Sequence, residues 1–206
     1  MLIKSNIRYY CYKSFYKGHS FSTISNNNND NWLLQFDGGS RGNPGIGGAG
    51  AVLFLLENIK ETSIYEIKKN EKWSGYFYLG DNITNNVAEY RGLLEGLKQA
   101  LIFNAKYISI EGDSQLIINQ LNGIYQVKDS KLKPLYKEAT NIIKKFKKWE
   151  CTYIPRELNG KADSLSNLAM DTKTTLETNA WMKLKWIIQY FLNDFKCKHI
   201  ITTLLI

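Results

Sequence analysis

The sequence predicts an α/β domain in which an antiparallel hairpin section feeds a parallel section. Three observations carry that prediction. Short apolar or alternating runs recur at five places, as expected of strands. The first three follow one another directly, whereas the last two are set among segments of helical period. Strands in series, then helix and strand by turns, is the element order that a sheet flanked by helices requires.

The elements follow in order. WLLQF (32–36) is a short apolar strand ended by the glycine-rich loop DGGSRGNPG (37–45), and GAGAVLFLL (48–56) is its neighbour. WSGYFYLG (73–80) is an aromatic-rich third strand. In NNVAEYRGLLEGLKQALIF, Tyr90, Leu93, Leu94, Leu97 and Leu101 share one helical stripe, and Thr84, Asn85 or Asn86 caps its start. YISIEGD (107–113) alternates as a strand and turns into a helix at SQLIINQL. A helix over 131–148, a strand at WECTYI (149–154) and a last helix over 160–170 complete the series.

The chain has 206 residues, 44% hydrophobic and 22% charged, the balance of one globular domain with additional sequence. Its net charge of +8 and isoelectric point near 9.2 favour polyanionic partners. Cys11, Cys151 and Cys197 lack CxxC spacing, which argues against a zinc site or a disulfide framework and for a reducing compartment. Residues 1–30 carry Lys4, Arg8, Lys13 and Lys17 with no acid before Asp30, like a mitochondrial transit peptide, with a disordered Asn-rich tail as the alternative. The expected location is therefore mitochondrial, or else cytoplasmic or nuclear. No apolar run reaches the 18 residues a membrane span needs.

On this map four acids distant in sequence converge. Asp37 ends the first strand, Glu89 lies in the first turn of the first long helix, Asp113 ends the fourth strand, and Asp163 opens the last helix. Groups beyond the carboxyl ends of strands in an open α/β sheet share one crevice. Carboxylates gathered there repel one another unless divalent cations join them, and hard oxygen ligands suit Mg2+ or Mn2+. Two such ions roughly 4 Å apart stabilise both the attacking and the leaving oxygen of a phosphoryl displacement. The glycines after Asp37 would let a sugar-phosphate backbone approach the main chain. The plainer alternative makes Asp37-Gly38 a hairpin turn.

DGGSRGNPG, TNNVAEYRGL (84–93), IEGDSQLIINQLNG (110–123) and YIPRELNGKADSLSNLAMD (153–171) occur in this order, and together they resemble ribonuclease HI. The likeness is to the archaeal and plant-like, reverse-transcriptase-like subclass, and it covers residues 31–171. It implies a mixed sheet of five strands flanked by helices. It also implies endonucleolytic hydrolysis of the RNA strand of RNA/DNA hybrids by two Mg2+ ions, with Mn2+ as a substitute, leaving 5′-phosphate and 3′-hydroxyl ends with little sequence preference. Asp37 and Asp113 would be the central metal ligands. Glu89 would join one metal site and help position water, and Asp163 would hold the other ion. Asn43, Asn85, Asn86 and Gln115 match positions that read the minor groove, where an amide both donates and accepts. Thr84 matches a phosphate contact on the DNA strand.

Two departures from the family stand out. His19 and His199 both lie outside the motifs, so the loop before Asp163 offers Arg156 in place of a histidine. Arginine stays protonated and engages phosphate without shuttling a proton; a surface ion pair is its alternative use. NGIYQVKDS leaves no room for the basic protruding helix of some members, and Lys144, Lys145, Lys147 and Lys148 are expected on the following helix as a solvated face.

Residues 172–206 lie beyond the resemblance. Trp181, Leu184, Ile188, Phe191, Leu192 and Phe195 recur at helical spacing, an amphipathic extension that packs on its own domain or meets a partner or surface through residues 176–195. A monomer is expected. The competing function is a non-catalytic nucleic-acid-binding module of the same fold, which the full set of four acids disfavours; a reverse-transcriptase fragment is disfavoured because the chain has no room for a polymerase domain.

Overall fold

Backbone pairing carries the first strand well beyond its apolar run. In this computed structural model, which describes residues 31–61 and 64–178, β1 covers Asn31–Gly42 and β2 covers Gly45–Glu61. The two pair antiparallel down to Gly42↔Gly45. DGGS, expected to leave the sheet as a loop, is therefore strand, and the chain reverses at Asn43–Pro44 instead. The small residues of β2 opposite it (Gly47, Gly48, Ala49 and Gly50) let the pairing continue past Asp37. Gly42 takes the positive φ of +97° at the reversal, which glycine adopts without steric cost.

Antiparallel pairing continues from β2 to β3 (Ile64–Ile83). Helix α1 (Asn85–Ile102) then crosses the sheet to β4 (Tyr107–Gly112), which lies parallel to β1 from Asn31↔Tyr107 to Gln35↔Glu111. Helices α2 (Gln115–Leu121) and α3 (Leu132–Ile143) lead to β5 (Lys148–Tyr153), parallel to β4. A 3-10 turn at Arg156–Leu158 precedes α4 (Gly160–Thr172). The sheet order is β5-β4-β1-β2-β3-β6, an antiparallel section feeding a parallel one. The five expected strands gain a sixth, β6 (Leu176–Glu177), a two-residue edge on Gly75 and Tyr76 of β3. The start of the expected helical extension is thus strand. Its apolar stripe over 181–195 and the basic segment 1–30 lie outside the described residues.

The period of two along β1 decides what each face buries. Leu34 and Phe36 face α1, where Tyr90, Leu93, Leu94 and Leu97 are fully buried. Leu33, with Val52 and Phe54 of β2, faces Leu165 of α4. Each such aliphatic side chain contributes about 1.5–3 kcal/mol through burial. Helix α4 reaches the sheet closely because β2 offers glycine: a Cβ on Gly50 would lie 2.4 Å from the Ala162 carbonyl oxygen.

Helix α3 ends at Ile143, five residues before its expected end at 148. Lys145 and Phe146 donate to the carbonyls of Ile142 and Ile143 at 2.9 and 3.1 Å, tightening the last turn so that Phe146 plugs the core at 5% exposure. The Lys147 N–H then leaves the helix for the Lys106 carbonyl (2.8 Å). Lys144, Lys145, Lys147 and Lys148 therefore form a turn and a strand start rather than a helical face.

Candidate active site

Asp37 projects toward α4, two residues beyond the last parallel pair of β1 with β4. It is 7% exposed, and the Ser166 hydroxyl on α4 donates to its Oδ2. Gly38, next along β1, faces the other way, and its missing side chain decides where Glu89 sits. A Cβ there would fall 2.1 Å from the Ala88 carbonyl carbon and 2.2 Å from the Glu89 backbone nitrogen. The glycine therefore admits the backbone of α1 against the strand, the reverse of its expected use as an opening for substrate. Glu89 is the fifth residue of α1, one turn further in than expected. Asp113 directly follows β4 and accepts from Asn159 Nδ2 at 2.7 Å.

Asp37, Glu89 and Asp113 each present an oxygen within 4.8 Å of the others. Asp163, the fourth residue of α4, lies outside that close group, and its Oδ1 accepts from the Arg156 guanidinium. Its charge nevertheless reaches the site. Burial raises the Asp37 carboxyl above its ordinary range, the Ser166 hydroxyl partly offsets this, and the charges of Asp113 and Asp163 add to the rise. Burial drives Glu89 well above the usual carboxylate value, helped by Asp37 and Asp113 and opposed by Arg156. Glu89 Oε2 is buried without a hydrogen-bond partner.

That orphaned oxygen, held among like charges, is the observation against which a metal is tested. A divalent cation satisfies it, removes the repulsion, and matches a donor set made only of carboxylate oxygens. The residues fit. They also set a pH dependence. Because its folded-state value is raised, the stability linked to protonated Glu89 is present below 4.5 and is lost as pH rises through the folded value. Glu89→Gln keeps a neutral group there at every pH and can donate to the neighbouring carboxylates. In chelator, its melting temperature should exceed that of the wild type at neutral pH, with the gap closing on acidification. Melting curves across pH check this, and a gap independent of pH would refute it.

The expected substrate-reading residues occupy the rim. Asn43 Oδ1 accepts from the Asn85 N–H at 3.2 Å, so the hairpin turn caps α1 from across the chain. Thr84 holds the N-cap position without a side-chain bond, and Asn85 and Asn86 stand exposed. Gln115, exposed, opens α2 two residues after Asp113.

Two residues of the site escaped the sequence reading. Asn159 is fully buried and donates from Nδ2 to the Phe36 carbonyl (2.8 Å) as well as to Asp113, while its own carbonyl accepts the Asp163 N–H (3.1 Å). The side-chain amide thus ties β1 to Asp113, and the backbone carbonyl of the same residue accepts from the first turn of α4. Ser166 binds both Asp37 and the Asp163 carbonyl. The signal was spacing: Asn159 lies four residues before Asp163 and Ser166 three after it, on one helical face.

The profile of the reverse transcriptase-like family matches residues 35–169. A bifunctional protein of Mycobacterium tuberculosis is 38% identical over 139 residues, 68% of this chain and 35% of that protein. The chain thus spans about a third of the length of that curated relative. Among solved structures, RNase H1 of the halophilic archaeon Halobacterium salinarum is 34% identical, with 69% of this chain and 98% of that one covered at a TM-score of 0.60. LC11-RNase H1, solved in complex with an RNA/DNA hybrid, is 33% identical over 69% of this chain and 98% of its own, with a TM-score of 0.58.

Proposed function

The chain belongs to the reverse transcriptase-like family and carries its ribonuclease H fold, and from that premise we propose that it is an endoribonuclease hydrolysing the RNA strand of RNA/DNA hybrids. The observation that carries the reading is the convergence of Asp37, Glu89 and Asp113 around a buried carboxylate oxygen that has no partner. The similarity to a ribonuclease H1 solved on a hybrid supports the substrate class. In this reading Asp37 and Asp113 hold two Mg2+ or Mn2+ ions centrally, Glu89 joins one site, and Asp163 completes the other. When bound, the ions neutralise charge on the scissile phosphate and lower the pKa of water.

The protein's own groups do the remainder. Asn159 fixes one oxygen of Asp113, leaving the other free to turn toward Asp37 and Glu89. Ser166 holds Asp37 in the same way. Asn43, Asn85, Asn86 and Gln115 contact the minor groove, where their amides meet base edges and the 2′-hydroxyl that marks RNA. Cleavage leaves 5′-phosphate and 3′-hydroxyl ends and acts on a monomer's single site. A mitochondrial location belongs to the same proposal and rests on residues 1–30; the mass of the mature N-terminus in cells tests it. So does the division into catalytic residues 31–171 and an extension over 172–206 that packs on its own domain or meets a partner or surface through residues 176–195, tested by deleting residues 176–206.

The test is a hybrid labelled on the RNA strand, incubated with Mg2+, Mn2+ or chelator, with product ends assigned by mass. Tight binding of the hybrid without cleavage in either metal would favour the non-catalytic module instead.

Arg156 has a more defined part. Paired with Asp163 and 70% exposed at the side chain, it can exchange that carboxylate for a phosphate oxygen without losing its charge. Arg156→Ala should slow single-turnover cleavage about tenfold, the scale of one charged hydrogen bond, with Arg156→Lys recovering part of the loss. Unchanged single-turnover and steady-state rates in Arg156→Ala would remove it from the reaction.

A further inference from the structure

The edge of the sheet at β5 carries chemistry that hydrolysis does not use. Lys144, Lys145, Lys147 and Lys148 surround the turn into β5, and the bond from Lys147 N–H to the Lys106 carbonyl (2.8 Å) brings a fifth lysine into the patch. All five are exposed, and among the described residues none is ion-paired. Glu150, the acid closest along the chain, already accepts from the Ser109 hydroxyl at 2.7 Å. Ammonium groups crowded in this way repel one another, and a polyanion relieves that repulsion.

The patch lies at the amino ends of the parallel strands and the acids lie at the carboxyl ends. The six residues of β4 separate them by about 20 Å. Two exposed aromatics bridge that distance along β5: Trp149 at 36% and Tyr153 at 44%. Four residues apart on one strand, they share a side at about 13 Å spacing. Tyr153 pairs with Gly112, the residue before Asp113. In order from Asp113, Tyr153, Trp149 and the lysines thus follow one another along the outermost strand of the sheet, with Cys151 packed on the core between the two rings and Lys148 on the opposite face.

We infer that this edge is a track for a single nucleic-acid strand continuing out of the hybrid held at the acids. Exposed rings offer faces on which unpaired bases stack, and the lysines meet the phosphates. A duplex keeps its bases stacked inward and leaves Trp149 and Tyr153 without a partner. The location of the hybrid rests on the proposed function, whereas the affinity for a single strand does not.

The test uses the full chain in chelator, where nothing is cleaved, and follows fluorescence anisotropy with four probes. These are a blunt hybrid of about 12 base pairs, the same hybrid with a tail of about 20 thymidines on one strand, the tail alone, and phosphatidylserine vesicles. The tail should raise affinity about 100-fold near 50 mM salt, and that advantage should fall about 50-fold by 200 mM if four phosphates are neutralised. Combining Lys106→Gln, Lys144→Gln, Lys147→Gln and Lys148→Gln should abolish the advantage, while arginine at the same positions keeps it. Tyr153→Ala should lower it about tenfold. Melting temperatures of the variants identify any that misfold, and the arginine set then carries the comparison. Equal affinity for blunt and tailed hybrids, or a tail advantage that survives the glutamine substitutions, would overturn the track. Vesicle capture without binding of the free tail would also overturn it, in favour of an anionic surface. If the blunt hybrid fails to bind in chelator while the free tail binds in a lysine-dependent way, the track stands, and the hybrid reading is judged separately by cleavage of the blunt hybrid in Mg2+, whose absence would sink that reading alone.

Discussion

Asp37→Asn should abolish hybrid cleavage, lowering the rate by roughly 10^3-fold or more, the size of effect seen when an electrostatic group at a transition state is lost. The substitution is nearly isosteric, and its consequence divides along the two roles that Asp37 plays. Without metal, Asp37 is 7% exposed and its carboxyl is raised in pKa by burial first, then by Asp113 and Asp163, so a neutral amide there relieves repulsion. The variant should fold, and in chelator at neutral pH it should melt above the wild type. With cations present, the same exchange removes a negative donor from the group formed with Glu89 and Asp113. Mg2+ should then stabilise the variant much less than it stabilises the wild type. The paired readout matters because a structural lesion predicts the opposite sign in chelator. Cleavage within tenfold of wild type, measured on a labelled hybrid at saturating Mg2+, would remove Asp37 from the reaction.

Much of this site was visible in the chain before any coordinates. The apolar run WLLQF and the alternation in YISIEGD marked strands, and the stripe through Tyr90, Leu93, Leu94 and Leu97 marked α1, because pattern determines which residues share a face. The acids were legible for the same reason: Asp37 lies on, and Asp113 follows, strands that are parallel neighbours. What period does not encode is where pairing or a helix stops. The strand β1 ran on to Gly42 because small partners on β2 allowed it. Helix α3 stopped at Ile143 because Phe146 was needed in the core and Lys147 found a backbone partner at Lys106. Nor does period show which polar side chains reach across elements. Asn43 caps α1 from a distant turn, Asn159 spans 46 residues to Asp113, and Arg156 pairs with the very acid it was expected to accompany. Nor does period place Lys106 beside the turn into β5.

The glycine after Asp37 makes the strongest structural claim and so the second large prediction. At Gly38, a methyl group would meet α1 backbone atoms at 2.1 Å (Ala88 carbonyl carbon), 2.2 Å (Glu89 nitrogen) and 2.4 Å (Ala88 carbonyl oxygen). Backbone cannot swing aside as a flexible side chain can, so Gly38→Ala must push the helix off the strand. Overpacking of this kind costs about 3 kcal/mol, the upper end of its usual range, or roughly 10 °C in melting temperature for a domain of this size. The displaced segment carries Glu89, so the loss should extend to function: Mg2+ should stabilise the variant less, and cleavage should fall even at temperatures where it remains folded. Gly39 supplies the control. Its added methyl would meet only the end of the Met170 side chain, at 3.3 Å, which can give way. Gly39→Ala should therefore melt within a few degrees of the wild type, about 1 kcal/mol or less. If the two alanine variants behave alike, the close approach of strand and helix is not what holds Glu89 beside Asp37. Unequal losses in the predicted order would mean that the glycine pair after the aspartate is read by the fold one residue at a time, with Gly38 setting the geometry of the acids and Gly39 filling a tolerant space.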